Sequence, residues 1–233
     1  MTLEILPVAG LPEFVAGDVV AEALVVAARP EPGLQEGDVV VVTSKIVSKA
    51  EGRVVVLDGT TTAERLVADE SVRVLRRRGD LVVSETRHGF VCANAGVDRS
   101  NVAEGSAVLL PIDPDRSARR IRDGLRARLG VELAVIVSDT FGRPWRRGLT
   151  DVALGCAGLG PILDLRGTVD VSGRLLSATE VAVADELAAA ADLVMGKASG
   201  IGAAVVRGVD HGWLREGSVG RELVRHSSED LFR

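Results

Sequence analysis

Lysine is rare in this chain of 233 residues, and its three lysines are the first side chains to consider for chemistry. Lys45, Lys49 and Lys197 stand among 28 basic residues that are otherwise all arginine. Lys45 and Lys49 share the segment TSKIVSKAEG with Ser44, directly after a run of valines. Two ammonium groups with rotatable donors can neutralise the charge of a polyphosphate. The segment is therefore a candidate phosphate site, with an ordinary solvent-exposed lysine loop as the alternative.

Oxygen ligands are concentrated in a second segment, the glycine-containing stretch NAGVDRSN at 94–101. The carboxylate of Asp98 is a ligand type that Mg²⁺ and Mn²⁺ prefer, and the amides of Asn94 and Asn101 can bind a base or a sugar. These two are the only asparagines in the sequence. The segment is a candidate metal and nucleotide site, and the alternative is an Asx-rich turn whose side chains bond to their own backbone.

A carboxylate and several guanidinium groups lie close together in a third segment, VSDTFGRPWRRG. Its residues Ser138, Asp139 and Thr140 follow a buried apolar run, a common location for functional side chains. A metal ion and arginines can neutralise the charge that develops during phosphoryl transfer. The segment is a candidate phosphoryl-transfer site, and the alternative is a surface aspartate paired locally with arginine.

The remaining reactive residue types carry little signal. The three histidines are scattered without partner spacing, and Cys92 and Cys156 lie among apolar neighbours, as buried inert thiols do. Trp145 stands between arginines, where it either stacks on a ring or anchors the core. The chain has no GxxxxGK[ST], GxGxxG, HExxH or GxSxG motif, so any phosphate binding must use another structure.

Composition and charge exclude several classes of protein. With 46% hydrophobic and 26% charged residues, the chain is expected to fold as a globular protein. Its net charge of −5 argues against nucleic acid as the main partner. The N-terminus lacks the pattern of a signal peptide. The most apolar stretch, at 181–195, contains three acidic residues, which argues against a membrane-spanning helix. With only two cysteines as well, we expect a cytoplasmic protein that binds no membrane.

The hydrophobic pattern predicts the elements that position these segments. Continuous apolar runs at 38–43 and 133–137 indicate strands buried on both faces. Further strands are predicted at 3–7, 54–57, 81–86, 90–95, 108–112 and 203–207. Helices are predicted at 19–28 with Asp18 as N-cap, at 62–77, at 117–129 with Asp115 as N-cap, and at 180–195; 44–51 is predicted to be a loop. Numerous strands with only three or four helices favour an α+β fold over a doubly wound sheet.

Six stretches of the sequence resemble, in the same order, the coenzyme F420-0:L-glutamate ligase family. They are ILPVAGLPEF, GDVVVVTSKIVSKAEGR, VCANAGVDRSNV, LLPIDPD, VIVSDTFGRPWRRG and TEVAVADELAAAADLVMGK. The match runs from about Leu3 to Arg207 and is most similar to the N-terminal ligase domain of actinobacterial two-domain F420 ligases. The resemblance implies a homodimer with a mixed-sheet α+β fold, neither Rossmann nor P-loop.

The same resemblance implies an activity. Members of the family are GTP-dependent γ-glutamyl ligases that require Mg²⁺ or Mn²⁺. They add L-glutamate to the lactyl carboxylate of the deazaflavin precursor coenzyme F420-0, or its dehydro form, and release GDP and phosphate. We expect the γ-phosphoryl group to pass to the substrate carboxylate and form an acyl phosphate, which fits the lack of a Ser-His or Cys-His arrangement in the sequence. The alternatives from other classes are a metal-dependent phosphohydrolase and a non-catalytic nucleotide- or deazaflavin-binding module.

The family's functional residues transfer to positions in all three segments. The resemblance implies nucleotide contacts at Leu11, Pro12, Glu13, Phe14, Ser44, Lys45, Lys49, Asn101, Met195, Gly196, Lys197, Ala198, Ser199, Gly200, Ile201 and Gly202. It implies metal ligation at Asp98, Asp139 and Thr140. Candidate charge stabilisers are Arg143, Arg147 and Lys197, and the arginines at 143, 146 and 147 are also candidates for binding the acidic groups of the substrate.

Two departures from the family pattern carry expectations of their own. Archaeal relatives usually have an acidic residue in place of Lys197, where it serves a second divalent cation. We hypothesise that the ammonium of Lys197 replaces that cation, so that one bound metal ion suffices. Actinobacterial relatives continue into a nitroreductase-like domain after a segment like the last residues of this chain. We therefore expect one ligase domain over 1–233, either stand-alone or cut from such a fusion, with two intertwined subdomains as an option.

Overall fold

The computed structural model describes residues 2–231, which form five α-helices and twelve β-strands. In this part of the chain, no helix has both the length and the apolar character needed to cross a bilayer. In chain order, the elements are β1 (Glu4–Pro7), α1 (Val20–Ala27), β2 (Val39–Thr43), α2 (Ser44–Ala50), β3 (Val54–Val56), α3 (Ala63–Glu70), β4 (Ser71–Arg78), β5 (Leu81–Thr86), β6 (Val91–Ala93), β7 (Ser106–Val108), α4 (Pro114–Leu129), β8 (Ala134–Arg143), β9 (Arg146–Ala157), β10 (Leu163–Asp164), β11 (Glu180–Val181), α5 (Val183–Met195) and β12 (Ala203–Arg207).

A five-stranded mixed sheet organises the molecule, in the order β1-β12-β2-β8-β9. Strands β2 and β8 pair in parallel, with Thr43 opposite Ser138, and every other pair in this sheet is antiparallel. The other strands form a three-stranded antiparallel sheet, β4-β5-β6, and two antiparallel pairs, β3-β7 and β10-β11. Strands and helices do not alternate regularly, so the structure confirms the predicted α+β class with a mixed sheet.

Both faces of the central strands are buried, as the continuous valine runs predict. On one face, Val39, Val41 and Ile136 pack with α5. On the other face, Val40 and Val42 pack with α1 and α4. Because successive side chains of a strand point to opposite faces, a strand covered by helices on both sides must be apolar at every position. The sheet is therefore a rigid, dry platform between two helical layers.

Helix α4 lies directly on β9, and a glycine permits this close approach. A Cβ atom added to Gly155 would lie 2.2 Å from the carbonyl carbon of Pro114, at the first residue of α4. That distance is far below any normal contact, so the helix and the strand could not keep their positions with a larger residue. Packing at this point fixes where β9, the neighbour of β8, lies.

Two stretches adopt a secondary structure that differs from the prediction. The predicted loop at 44–51 is helix α2, whose buried residues Ser44, Val47 and Ser48 repeat at helical spacing. The predicted helix at 62–77 is wrong beyond Glu70, where the chain turns into β4. Pairing with β5 favours the extended conformation in this stretch, although Val74 and Leu75 continue the helical spacing of Leu66 and Val67.

Several predicted boundaries also move. The strand expected at 108–112 is β7, which ends at Val108, and the strand expected at 133–137 extends through the polar segment to Arg143. The helix expected at 180–195 begins at Val183, because residues 180–181 pair as β11. Residues 2–231 contain five α-helices rather than three or four, and the additional one is α2, which was predicted to be a loop.

Both predicted N-caps are wrong. Helix α1 has Val19 as its N-cap residue, and the Asp18 carboxylate accepts a hydrogen bond from the backbone of Val15 instead. Helix α4 is capped by Asp113, which accepts from the backbone N–H of Arg116 at 2.9 Å. A proline follows Asp113, and proline at the first helical position is favourable because no N–H is lost there. The helix therefore begins one turn earlier than the prediction.

Asp115 has another role, as the anchor of the segment near residue 220. One carboxylate oxygen accepts the N–H groups of Cys156 and Val219, both at 2.9 Å. The other accepts the hydroxyl of Ser218 at 2.7 Å and the N–H of Gly220 at 3.1 Å. Four donors converge on a single side chain, which connects α4, β9 and the turn at 219–223.

We predict that Asp115→Ala lowers the free energy of unfolding by about 3 kcal/mol, because it leaves several donors without an acceptor. The matched variant Asp113→Ala removes a helix cap and should lower the same quantity by about 1 kcal/mol. Urea unfolding of both variants measures the difference. A larger loss for Asp113→Ala than for Asp115→Ala would contradict the roles assigned to these two aspartates.

Candidate functional site

A pocket of about 550 Å³ opens at the end of β2, beside the middle of β8. Both segments expected to contact a nucleotide, at 11–14 and at 195–202, contribute to its walls. Its lining residues are Leu11, Pro12, Glu13, Phe14, Thr43, Lys45, Ile46, Lys49, Asn101, Ser138, Asp139, Thr140, Asp151, Asp192, Met195, Gly196, Lys197, Ala198, Gly200, Ile201 and Gly202. The pocket therefore contains all three lysines and side chains from each of the three candidate segments.

Helix α2 positions two of the lysines, because it follows β2 without a linker. The Lys45 ammonium lies 2.7 Å from a carboxylate oxygen of Asp98. The Lys49 ammonium contacts the carboxylate of Glu13, and Lys49 is itself buried. Opposite the helix, Gly202 leaves room for Ile46, since an added Cβ would lie 2.3 Å from its Cδ1 atom. The lysines are thus fixed by the end of a buried strand and not displayed on a loop.

The second candidate segment divides between structural and site roles. The amide oxygen of Asn94 accepts the N–H of Val82 at 2.9 Å, which ties the turn to β5. Asn101 lines the pocket, and its φ of 56° is in the left-handed region that asparagine tolerates. Asp98 forms a two-way backbone bridge with Val108, at 3.0 and 2.8 Å. This bridge holds the Asp98 side chain beside Lys45.

Electrostatics keep the Asp98 carboxylate ionised. Partial burial raises the pKa of Asp98, but hydrogen bonds from Lys45 and from the N–H of Ser100 outweigh it, so its pKa lies below the ordinary value. The Ser100 bond is 2.7 Å long. A carboxylate that stays charged at neutral pH can bind a cation without first losing a proton.

Asp139 and Thr140 lie in the middle of β8. The sequence had instead placed them after the end of the predicted strand at 133–137. Asp139 is partly exposed to the pocket, but its carboxylate is desolvated by the surrounding protein. This desolvation raises the pKa of Asp139 from 3.8 to about 6, against the opposing charge of Lys45. A nearby cation would therefore lower the pKa of Asp139 toward its ordinary value, whereas the pKa of Asp98 is already low.

Asp151 is a pocket residue that the sequence interpretation missed. It lies on β9, opposite Thr140 on β8, and is buried. Its carboxylate accepts hydrogen bonds from the hydroxyls of Ser138, at 2.8 Å, and of Thr140. A signal for it existed, because a charged residue within an otherwise buried strand must have partners and is often functional.

Lys197 meets the same network from the end of α5. Its ammonium donates to the Thr140 hydroxyl, and its charge lowers the pKa values of Asp139 and Asp192 while burial raises both. The hydroxyl of Ser199, a predicted nucleotide contact, donates to the carbonyl of Met195 and does not line the pocket. Lys197 thus places a fixed positive charge next to two carboxylates and a hydroxyl.

Asp98 and Asp139 share a second, much smaller cavity of about 10 Å³, which Ser44 and Lys45 also line. Within the described residues, no group of three or more His, Cys, Asp or Glu side chains is arranged to hold a metal ion. Mg²⁺ often binds through one or two carboxylates, with waters and substrate phosphates completing its coordination. The carboxylates of Asp98 and Asp139 and the hydroxyl of Thr140 are ligand types that such a cation takes, and Asp139 and Thr140 also line the larger pocket, which has room for a cation and phosphates.

The arginines of the third segment lie away from the pocket. Arg143, Arg146 and Arg147 are exposed at the ends of β8 and β9, where a guanidinium of Arg143 donates to the carbonyl of Arg147 at 3.1 Å. Trp145, in the turn between these strands, is 86% exposed and does not anchor the core. These side chains would contact a ligand only if it extended from the pocket along this hairpin.

The two cysteines are buried and take no part in the pocket, as predicted. Burial raises the pKa of both thiols to about 12, so neither is a thiolate at neutral pH. Nucleophilic chemistry through cysteine is therefore not available to this site.

Comparisons with known proteins identify the family of this chain. The model of the family described as F420-0:Gamma-glutamyl ligase matches residues 10–208. The chain is 47% identical to the coenzyme F420:L-glutamate ligase of Methanothermobacter thermautotrophicus, with all of both chains covered. It is 42% identical to the protein of that name from Methanopyrus kandleri, covering all of this chain and 98% of the other. It is 35% identical to the protein of that name from Methanocaldococcus jannaschii, covering 96% of this chain and 94% of the other. The chain therefore belongs to the F420-0:gamma-glutamyl ligase family.

Proposed function

We propose that this protein ligates L-glutamate through a γ-linked amide to coenzyme F420-0, with GTP as the phosphoryl donor. The observation that carries the proposal is the pocket at the end of β2, where lysines, carboxylates and the glycine-rich segment after α5 meet. The names of the relatives support glutamate and the F420 deazaflavin as substrates. Family membership supports a ligase, and the pocket supplies the lysines and carboxylates that we propose for the reaction.

Lys45 and Lys49 are the proposed phosphate ligands. Each ammonium has a carboxylate partner, Asp98 and Glu13 respectively, so each already holds an anionic oxygen. A phosphate oxygen offers the same kind of acceptor with more charge, and an ammonium has three donors to share. The proposed GTP phosphates would therefore lie against α2, with the 195–202 segment beside the nucleoside.

Asp98, Asp139 and Thr140 are the residues that would hold Mg²⁺ or Mn²⁺. The cation, when bound, would neutralise charge on the transferring phosphoryl group. Asp151 accepts a hydrogen bond from Thr140 and so fixes the orientation of its hydroxyl. Lys197 supplies a further positive charge at the same hydroxyl, which supports the hypothesis that it replaces a second cation.

The proposed reaction has two displacements. A carboxylate oxygen of F420-0 attacks the γ-phosphorus, the bond to the bridging oxygen breaks, and GDP leaves. The glutamate amine then attacks the acyl carbon, phosphate leaves, and the departing phosphate can accept the proton that the amine loses. Such chemistry depends on charge neutralisation and in-line placement and needs no protein nucleophile. The exposed arginines at the β8–β9 hairpin remain candidates for binding the acidic groups of the deazaflavin substrate.

Incubation with GTP, Mn²⁺, F420-0 and glutamate, followed by mass spectrometry, tests this function. A product heavier by a glutamyl unit supports it. Release of phosphate without that product would indicate a phosphohydrolase, and nucleotide binding without either would indicate a binding module.

We predict that Asp139→Asn reduces ligase turnover by about 1,000-fold, because it removes one of the carboxylates proposed for the cation. The metal-free variant should also be more stable than the wild type at pH 7.5, by about 1–3 kcal/mol. A folded-state pKa of about 6, above the ordinary 3.8, means that ionisation of Asp139 opposes folding, and this cost is complete above pH 6. Asp80→Asn, at an exposed turn, is the control and should change neither quantity. Near-normal turnover of Asp139→Asn would refute the metal role.

We predict that the affinity for Mn²⁺ is constant above about pH 7 and falls about tenfold per pH unit below pH 6. The cation needs the ionised carboxylate of Asp139, and protonation competes with it as the pH drops through that pKa. Electron paramagnetic resonance titrations of free Mn²⁺ between pH 5 and 8 measure this. An affinity that stays constant down to pH 5 would show that the pKa of Asp139 is not raised.

The Lys197 hypothesis predicts a single divalent cation per chain in the presence of GTP, measured by equilibrium dialysis. Lys197→Glu should increase the number to two, because a carboxylate beside Thr140 completes a second oxygen site. Lys197→Met, which keeps length but not charge, should leave it at one and lower turnover by at least tenfold. Two cations bound to the wild type would overturn the hypothesis.

A further inference from the structure

Ser48 carries a buried hydroxyl that has no acceptor or donor among the described residues. The residue is 1% exposed and lies on α2, between the phosphate-binding candidates Lys45 and Lys49. Buried hydroxyls are almost always hydrogen-bonded, to protein or to an ordered water, because an unpaired polar group in the interior is unfavourable. Alanine would favour the helix more than serine does and would leave no unpaired hydroxyl. The presence of serine at this position therefore needs an explanation.

Ser48 also lines the small cavity that the two proposed metal-binding carboxylates share. The cavity has a volume of about 10 Å³, and Asp98 and Asp139 contribute to its wall together with Ser44 and Ser48. A cavity needs roughly 10–15 Å³ and two to four polar partners to hold one water molecule. The rest of the wall includes apolar residues such as Leu109 and Leu110, so the polar side chains define where a water can bond.

We propose that Ser48 is a positioning residue: its hydroxyl, through one buried water, hydrogen-bonds the carboxylates of Asp98 and Asp139 and fixes their orientation toward the cation. The inference rests on the proposed function, because it assumes that these carboxylates bind a divalent metal. Groups that hydrogen-bond metal ligands orient them, and their loss typically weakens metal affinity by 10–100-fold. Ser48 is buried behind the pocket wall and does not line the pocket itself.

Other roles for Ser48 make different predictions. If Ser48 only filled space in the core, removing its hydroxyl would leave metal binding unchanged. If it contacted the nucleotide, its loss would weaken GTP binding measured without metal. The cavity assigns it to the carboxylates instead, since Asp98 and Asp139 are the charged acceptors that share this wall with it.

The test compares Ser48→Ala with Ser117→Ala by Mn²⁺ titration, thermal unfolding and GTP binding in the absence of metal. Ser117 is also a buried helical serine, but its hydroxyl lies within hydrogen-bonding distance of the Glu51 carboxylate and of the Asp113 carbonyl, two acceptors away from the pocket. We expect Ser48→Ala to weaken Mn²⁺ binding at least tenfold, with the melting temperature and metal-free GTP binding unchanged. Ser117→Ala should show the opposite pattern, a lower melting temperature with normal Mn²⁺ affinity.

Wild-type affinity for Mn²⁺ in the Ser48→Ala protein would overturn the inference while leaving the proposed function intact. Failure of the wild type itself to bind Mn²⁺ would overturn the proposed metal role and the inference with it. A high-resolution crystal structure gives a second readout, in which a water oxygen within hydrogen-bonding distance of Ser48 Oγ and of a carboxylate is expected. A cavity without water in such a structure would also overturn the inference.

Discussion

Compensation of charge in the pocket is the interaction on which the site depends. Five carboxylates converge on this region, and three ammonium groups lie among them. The carboxylates are those of Glu13, Asp98, Asp139, Asp151 and Asp192. The Lys45 and Lys49 side chains are only 19% and 10% exposed, so loss of the carboxylate partner would leave an ammonium that water solvates poorly. Each lysine therefore holds its carboxylates in place, and the site retains excess negative charge that a metal ion can neutralise.

The central sheet makes this concentration of charge possible. Strands β2 and β8 are buried on both faces and pair in parallel, so the register that places Thr43 opposite Ser138 also places α2 beside the polar part of β8. Helix α2 starts at the next residue after β2. The packed sheet thus restricts the positions of Lys45 and Lys49, because no flexible linker separates β2 from α2.

The sequence predicted which residues lie together better than it predicted their local structure. The buried strands at 38–43 and 133–137 followed from continuous apolar runs, and the rarity of lysine identified residues that the fold brings together. Helix α2 was mistaken for a loop because its polar residues hid the buried spacing of Ser44, Val47 and Ser48. Asp151 was missed because its partners, Ser138 and Thr140, come from another strand, and only the β8–β9 register brings them close.

The preference for lysine in this pocket, within an arginine-rich chain, has a physical reason. Arg207, which is partly buried, donates to both oxygens of Asp38 and to the carbonyl of Gly33, so one guanidinium has three acceptor atoms here. A guanidinium has five donors in a fixed planar arrangement, whereas an ammonium has three that rotate freely. Lys45 donates to Asp98 at 2.7 Å and keeps two protons for a ligand oxygen. One ammonium can therefore hold Asp98 and a ligand oxygen at the same time.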